Sequence, residues 1–503
     1  MLIKYLLVAA VVGAACSLGL PPYDQWWVLF VAVPIALRGL SALIYKESWR
    51  ILFAGWSFGF GYFIAALHWI ANAFYVDAAN DLWMMPFALS GLSAFLALFW
   101  ALATWAAAML ARRGHPLWLS VPVTFAAVEW LRGHVFTGFP WAVFGQMVDG
   151  MWGAEQAAAY IGMTGLTFVV WLWAASVYGI WVERKKTRTI CVALLLTFPA
   201  TLSLGQWRLA THPTEYVPNI MLRLVQPNIS QNEKWREGNA RKIFDELLNL
   251  TAAPPSTGKP VTHIIWPESS VPFLIDESNE GRAELAHALL PGQVLLAGAV
   301  RRSAPRDDAN YFTSILIFDS NANVLNHYDK WHLVPGGEFL PLAWLLEPLG
   351  LRKLVNLPES FKPGAGPTTL PVPGAGNAGF SICYEAIFPE AVASSTLHPD
   401  WLVNVTNDGW FGKSAGPWQH LAQMRLRSIE SGAPTARAAN TGISAIIDAY
   451  GRETFLSQSE TIGAFDVMLP KAEQMTIYKL CSDLLLFCLL VLGIVLGEVN
   501  KRL

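Results

Sequence analysis

Gly379-Phe380-Ser381-Ile382-Cys383-Tyr384-Glu385 decides the reading of this chain. Four residues with strand character run into a cysteine, and a carboxylate follows two positions later. The other cysteines, Cys16, Cys191, Cys481 and Cys488, all lie in apolar segments of membrane length, so Cys383 is alone in the soluble part of the chain. A lone thiol forms no internal disulfide. It is either an inert buried residue or a nucleophile, because free cysteine packs as a small hydrophobe unless its surroundings ionise it.

Composition places that stretch in a divided molecule. The chain has 503 residues, 54% hydrophobic and 14% charged, against about 25% charged in ordinary soluble domains. Residues 1–210 are nearly continuous apolar segments, 217–472 read as a globular domain, and 477–503 return to an apolar span with a short tail. A helix needs about 20 apolar residues to cross a bilayer. Eight segments fit: 3–20, 26–43, 51–76, 83–111, 116–132, 157–182, 188–206 and 477–497. The run Phe139 to Val148 is too short to span and reads as an interfacial or re-entrant piece.

Charge sets the orientation. Lys46 and Arg50, Arg112 and Arg113, then Arg184, Lys185, Lys186 and Arg188 follow alternate spans, and Lys501 and Arg502 follow the last. The opposite loops carry Asp24, Asp77 and Asp81, with Arg132 their only basic residue. The positive-inside rule then makes both termini cytoplasmic and the large domain extracytoplasmic, the periplasm in a bacterium. Met1–Leu20 also has the form of a signal peptide, with Gly13-Ala14-Ala15-Cys16 similar to a lipoprotein cleavage site, but the charge alternation works with this segment retained. A net charge of −2 points to no nucleic-acid partner.

Within 217–472, strand-like runs at 220–226, 262–267, 293–300, 312–319, 379–383 and 400–406 alternate with helical periodicity at 239–251, 281–290 and 418–431. That alternation implies an α/β layered domain. The Pro/Gly-rich stretches 252–260 and 363–376 read as loops. Glu268, Cys383 and the cluster Asn404 to Asp408 each end an apolar run, where open α/β sheets bind ligands.

The chemistry of a shared site follows from residue type. An unperturbed cysteine is mostly thiol at neutral pH and needs a base, which Glu268 supplies. Lys330 offers a cation for the tetrahedral oxyanion, beside a backbone N–H next to the nucleophile. His327 and His332 flank Lys330 on a segment read as a loop and offer a Cys–His alternative. No Cys/His cluster has metal-ligand spacing, and no glycine-rich phosphate loop precedes a helix.

In chain order Glu268, Lys330 and Cys383 resemble the Glu-Lys-Cys triad of the nitrilase, or carbon–nitrogen hydrolase, superfamily. The surrounding words are similar too: Trp266-Pro267-Glu268-Ser269, Tyr328-Asp329-Lys330-Trp331-His332-Leu333-Val334-Pro335 and Ile382-Cys383-Tyr384-Glu385. With eight spans around such a domain and the run Asn404-Val405-Thr406-Asn407-Asp408-Gly409-Trp410-Phe411-Gly412, the whole chain resembles the apolipoprotein N-acyltransferase family. The resemblance implies an αββα sandwich on a membrane bundle in the bacterial inner membrane. It implies a monomer with no cofactor and no metal. The implied reaction is ping-pong: Cys383 takes an acyl chain from a phospholipid, mainly phosphatidylethanolamine, and yields it to the amino group of a diacylglyceryl-cysteine apolipoprotein.

By the same resemblance Glu268 is general base, Lys330 the oxyanion partner and Cys383 the nucleophile. Glu338 corresponds to the auxiliary acid, and Tyr384 and Glu385 to residues supporting the nucleophile. Trp235 corresponds to an aromatic lipid-access position; Trp410 and Phe411 are lipid-access candidates by their apolar character alone. Relatives commonly carry an aromatic residue where this chain has Gly336, which would loosen the loop that places Glu338. Phe339-Leu340-Pro341-Leu342-Ala343-Trp344-Leu345-Leu346 and Trp410-Phe411 suit either a lid over the site or ordinary packing. Glu129, Lys479 and Asp483, in or near spans, receive no role. Two other readings remain open: a membrane-tethered amidase using water, and a transporter or scaffold with an inert Cys383.

Overall fold

The computed structural model describes residues 2–501 except 235, 237, 305–308, 341–342, 350–360 and 394–396, so Trp235 and the Pro341-Leu342 part of the lid segment lie outside the described residues. The chain divides into two compact units. One is Met1–Ala71, Met85–Pro213 and Thr476–Leu503; the other is Asn72–Met84 and Thr214–Met475.

The first unit is helical, with helices at Leu2–Cys16, Leu29–Ser41, Ser48–Ala66, Met85–Arg112, Leu117–His134, Ala158–Val182, Lys185–Thr211 and Leu484–Asn500. Among the described residues, three stretches are long and apolar enough to cross a membrane: Ala78–Arg112, Ala154–Val182 and Lys185–Thr211. A fourth is added if Ser48–Ala66 and His68–Tyr75, bent by 48°, count as one. The segment expected as a single helix over 477–497 is broken at Ser482, whose φ of 47° no α-helix contains. Close helix crossing depends on glycine here: a Cβ on Gly61 would meet the Ala10 carbonyl oxygen at 1.9 Å.

Phe139–Val143 is irregular and leads into a 3-10 turn at Phe144–Gly150. An apolar environment leaves no solvent to satisfy such a backbone. Side chains do so instead. Arg132 donates to the Phe139 and Trp141 carbonyls, Tyr62 Oη donates to the Ala142 carbonyl at 2.7 Å, and Gly145 N donates to Thr167 Oγ1 at 3.1 Å.

Among the described residues the second unit is built on twelve strands. They are β1 Tyr216–Gln226, β2 His263–Trp266, β3 Val294–Arg302, β4 Tyr311–Phe318, β5 Val324–Asp329, β6 Thr369–Val372, β7 Gly376–Ile382, β8 Trp401–Thr406, β9 Thr435–Ala439, β10 Ala445–Ile447, β11 Glu453–Leu456 and β12 Gly463–Pro470. They form two six-stranded sheets, ordered β12-β1-β2-β3-β4-β5 and β11-β10-β9-β8-β7-β6. β1-β2-β3 and β7-β8-β9 are parallel and the outer pairings antiparallel.

Side-chain alternation explains the layers. Leu222 and Leu224 of β1 and Leu296 of β3 share a core with Phe380 and Ile382 of β7 and Val403 and Val405 of β8, so the sheets pack face to face. The intervening Met221, Val225, Leu295 and Ala297 meet Ile243, Phe244 and Leu247 of the helix Asn239–Ala252 and Leu285 of the helix Asn279–Ala288. Leu402 of β8 meets Leu421 and Met424 of the helix Gly416–Ser431. The result is helix, sheet, sheet, helix.

Two expectations need correction. The Pro/Gly-rich stretch 363–376 contains β6, with Pro371 on a strand that has only one neighbour, where a missing N–H costs no ladder bond. His327 lies in β5 and not on a loop, and Lys330 follows that strand directly.

Candidate active site

The three candidate catalytic residues stand just past strand ends: Glu268 after β2, Lys330 after β5 and Cys383 after β7. Each position has a local cause. Glu268 turns out of β2 through Pro267, and the turn lies against Gly298, where a Cβ would meet the Pro267 carbonyl oxygen at 2.1 Å. Ser270 fastens it by donating from N and Oγ to the Gly298 carbonyl at 2.7 and 2.8 Å. Lys330 is held by its own main chain, N donating to Thr313 O and O accepting from Gly364 N, both at 2.8 Å. Cys383 opens a 3-10 turn with φ 48°, in the left-handed region that ordinary residues rarely enter.

Lys330 Nζ is 3.2 Å from Glu268 Oε1 and 2.9 Å from Glu338 Oε1. Glu268 Oε2 accepts from Asn407 N at 3.0 Å, and Glu338 Oε2 from Val334 N at 2.8 Å. All of these side chains are buried, and the Cys383 sulfur lies within electrostatic reach of Glu268 and Lys330. The loop carrying Glu338 turns at Gly336. Gly336 has φ 77°, which glycine accepts without strain, and its N donates to Phe339 O at 2.7 Å.

Burial pushes the Cys383 thiol far above its usual range; the Glu268 charge adds to this and Lys330 opposes it, so the resting group is a thiol. Burial disfavours the Lys330 charge, but Glu268 and Glu338 hold it well above the usual lysine range. Glu338 is raised, by burial and by the Glu268 charge, against the pull of Lys330. The site therefore favours a cation beside a thiol.

Glu385 is a bracket. Its Oε1 accepts from Trp331 N at 2.7 Å and His332 N at 3.2 Å; its Oε2 accepts from Ile382 N at 2.7 Å and Tyr328 Oη at 2.8 Å. It thus ties the chain flanking Lys330 to the chain flanking Cys383, joining the two sheets at the site. Burial pushes its carboxyl up to about 7, against the pull of these donors and of Lys330. Tyr384 is buried, its ring 5.2 Å from Phe388 and 5.7 Å from His332. Trp410 and Phe411 sit half-buried at the end of the β8 turn. His332 stacks on Phe388 at 3.8 Å and His327 lies 3.8 Å from Asp329, so neither histidine takes the place of Glu268 beside Lys330.

Sequence reasoning passed over Lys234, His420 and Arg437, and saw Asp408 only as the end of the Asn404 to Asp408 cluster. Lys234 is buried, and its Nζ donates to the Glu268 carbonyl at 3.2 Å. Burial brings its pKa down to about 8, against Glu268 and Cys383. A lysine three residues past Gln231 in a polar run carries no sign that it turns inward. His420, Asp408 and Arg437 form a buried cluster beside the Cys383 main chain. Their signal was the helix Gly416–Ser431, whose Gln419, His420, Gln423, Arg427 and Glu430 are polar yet all buried.

A buried thiol, carboxylates and a lysine at the ends of two packed parallel-cored sheets define a carbon–nitrogen hydrolase-type enzyme, and the Carbon-nitrogen hydrolase family model matches residues 222–470. The Apolipoprotein N-acyltransferase N-terminal domain model matches residues 12–176. Among curated relatives, the apolipoprotein N-acyltransferase of Rhodopseudomonas palustris is 39% identical over 99% of this chain and 96% of its own. That of Bradyrhizobium diazoefficiens is 40% identical over 99% and 95%, and that of Brucella melitensis 38% over 92% and 89%. The chain belongs to the apolipoprotein N-acyltransferase family and is an acyltransferase.

Proposed function

We propose that this chain moves an acyl chain from a phospholipid, through a thioester on Cys383, to the α-amino group of diacylglyceryl-cysteine at the N-terminus of an apolipoprotein. Phosphatidylethanolamine is the donor. The observation that carries the reading is the convergence of Glu268, Lys330 and Glu338 around the Cys383 thiol in a chain matching this family along its length.

In the first step Glu268 takes the thiol proton as sulfur attacks the ester carbonyl. The oxyanion forms beside Lys330. Collapse breaks the C–O bond, and Glu268 returns the proton to the departing lysophospholipid oxygen. In the second step the acceptor nitrogen attacks the thioester, the C–N bond forms, the C–S bond breaks, and Glu268 carries the nitrogen's proton to sulfur. Glu338 keeps Lys330 aimed, and Glu385 and Tyr384 hold the nucleophile turn.

The chain works as a monomer in the bacterial inner membrane, with eight spans, both termini cytoplasmic and residues 217–472 periplasmic. Pulling an acyl chain into water costs about 0.8 kcal/mol per CH₂, so a site at the bilayer surface keeps both substrates' tails in an apolar medium. Trp344, 76% exposed, and the Trp410-Phe411 turn are surfaces for those tails. Water must be excluded while the thioester waits, which the burial of Cys383 supports.

Purified protein incubated with phospholipid is expected to carry a hydroxylamine-sensitive acyl group on residue 383 by mass spectrometry. Adding a diacylated lipopeptide clears it and yields a triacylated product; Cys383→Ser does neither, since a serine hydroxyl is far less acidic. Release of free fatty acid or ammonia alone would favour a hydrolase.

A further inference from the structure

A second buried cluster touches the nucleophile through its main chain. His420 is fully buried in the helix Gly416–Ser431, and its Nε2 lies 2.9 Å from the Cys383 carbonyl oxygen. A carbonyl only accepts, so this nitrogen carries the hydrogen. The other ring nitrogen, Nδ1, is 2.9 Å from Asp408 Oδ1 and 3.2 Å from Arg437 Nη2. Asp408 is fixed in turn, Oδ2 by Arg437 Nη2 at 2.7 Å and Oδ1 by Thr406 Oγ1 at 2.9 Å. Arg437 is anchored by Asn404 Oδ1 and by the Ile443 carbonyl.

Keeping an arginine, an aspartate and a histidine out of water is costly unless each is answered by a partner. Here the network ends on one particular carbonyl. That carbonyl shares its peptide group with the Tyr384 N–H, next to the reacting sulfur. A hydrogen bond to one end of a peptide polarises the group and strengthens the donor at the other end. The same bond restrains Cys383, whose φ of 48° needs outside support.

We propose that His420, set by Asp408 and Arg437, is a positioning residue for acylation. Its hydrogen bond holds the left-handed turn at Cys383 and polarises the Cys383–Tyr384 peptide, so that the Tyr384 N–H stabilises the oxyanion together with Lys330. The inference rests on the acyl-transfer reading above.

The test compares two rates on the full-length protein in micelles: thioester formation from phospholipid, and alkylation of Cys383 by iodoacetamide, which passes through no oxyanion. His420→Leu is expected to slow thioester formation by about 100-fold and leave alkylation within about threefold. His420→Gln, whose amide can donate to the same carbonyl, is expected to restore thioester formation to within about fivefold of wild type. Asp408→Asn falls between them. Wild-type acylation by His420→Leu, equal loss in Gln and Leu, or alkylation falling in step with acylation would each overturn the proposal. Should His420→Leu not fold, Asp408→Asn decides: slower acylation with intact alkylation supports it, and unchanged acylation overturns it. A wild-type protein that forms no thioester sinks the underlying reading, an outcome distinct from one in which wild type and His420→Leu acylate alike.

Discussion

Both units bury charge, and they use it differently. In the helical unit Arg132 pairs with Glu129 and spends its remaining donors on the Phe139 and Trp141 carbonyls, while Glu129 accepts from Trp100 Nε1 at 2.5 Å. Asp483 accepts from Trp130 Nε1 at 2.7 Å and Thr164 Oγ1 at 2.9 Å. The Arg132–Glu129 pair is enclosed by scaffold groups beside irregular backbone, while Asp483, half-buried and also 3.9 Å from His134 Nε2, sits where the last helix breaks. In the α/β unit two carboxylates share one ammonium, and the group beside them is a thiol. Intramembrane charge is a functional candidate by default, but these geometries separate a brace from machinery by asking what the charge faces.

That contrast can be broken most directly at Lys330. Lys330→Met leaves Glu268 and Glu338 without their common cation and, on the proposed mechanism, removes an oxyanion partner, so thioester formation should fall by about 10³-fold. A quench-and-mass-spectrometry time course on residue 383 reads it. Loss of less than tenfold would mean that the ammonium is another brace.

The opposite outcome is expected in the helical unit. Glu129→Leu strands the buried Arg132 charge and should destabilise the protein by about 3 kcal/mol. A lower thermal midpoint in detergent would register this, with acylation per folded molecule unchanged. Reduced acylation in fully folded protein would show that this pair also serves the reaction.

Lys234 sharpens the comparison within the site. Its ammonium is disfavoured by burial and has a pKa of about 8, so it is present at pH 7 and lost as pH rises through that value. If the charge supports acylation, the rate declines a few-fold above about pH 8, and Lys234→Met removes this alkaline limb. A limb that persists in the variant would assign it to another group.

Much of the site was readable because its residues occupy punctuation points. Glu268 and Cys383 end apolar runs, and a strand end is where a side chain leaves the sheet. The framework was less readable. β9 is Thr435-Ala436-Arg437-Ala438-Ala439, with a single β-branched residue; β1 to β4, β7 and β8 are richer in Ile, Val, Leu and Phe. β9 is a strand because β8 and β10 pair with it on either side. β5, with the polar run Asn326-His327, is held in the same way by β4. Glu385 was noticed for its place beside Cys383, but its four donors come from two segments, Tyr328–His332 and Ile382, about fifty residues apart.

From the chain order of residue types alone came the membrane-bound half, the α/β half, the lone thiol and its carboxylate and lysine partners, since burial preference and strand-end position are local properties. Only the fold decided which polar residues turn inward. Lys234, His420 and Arg437 look like solvated side chains in one dimension. In three they are buried around the Cys383 turn because two sheets meet there, and the desolvated charges have no solvent to satisfy them and must satisfy one another.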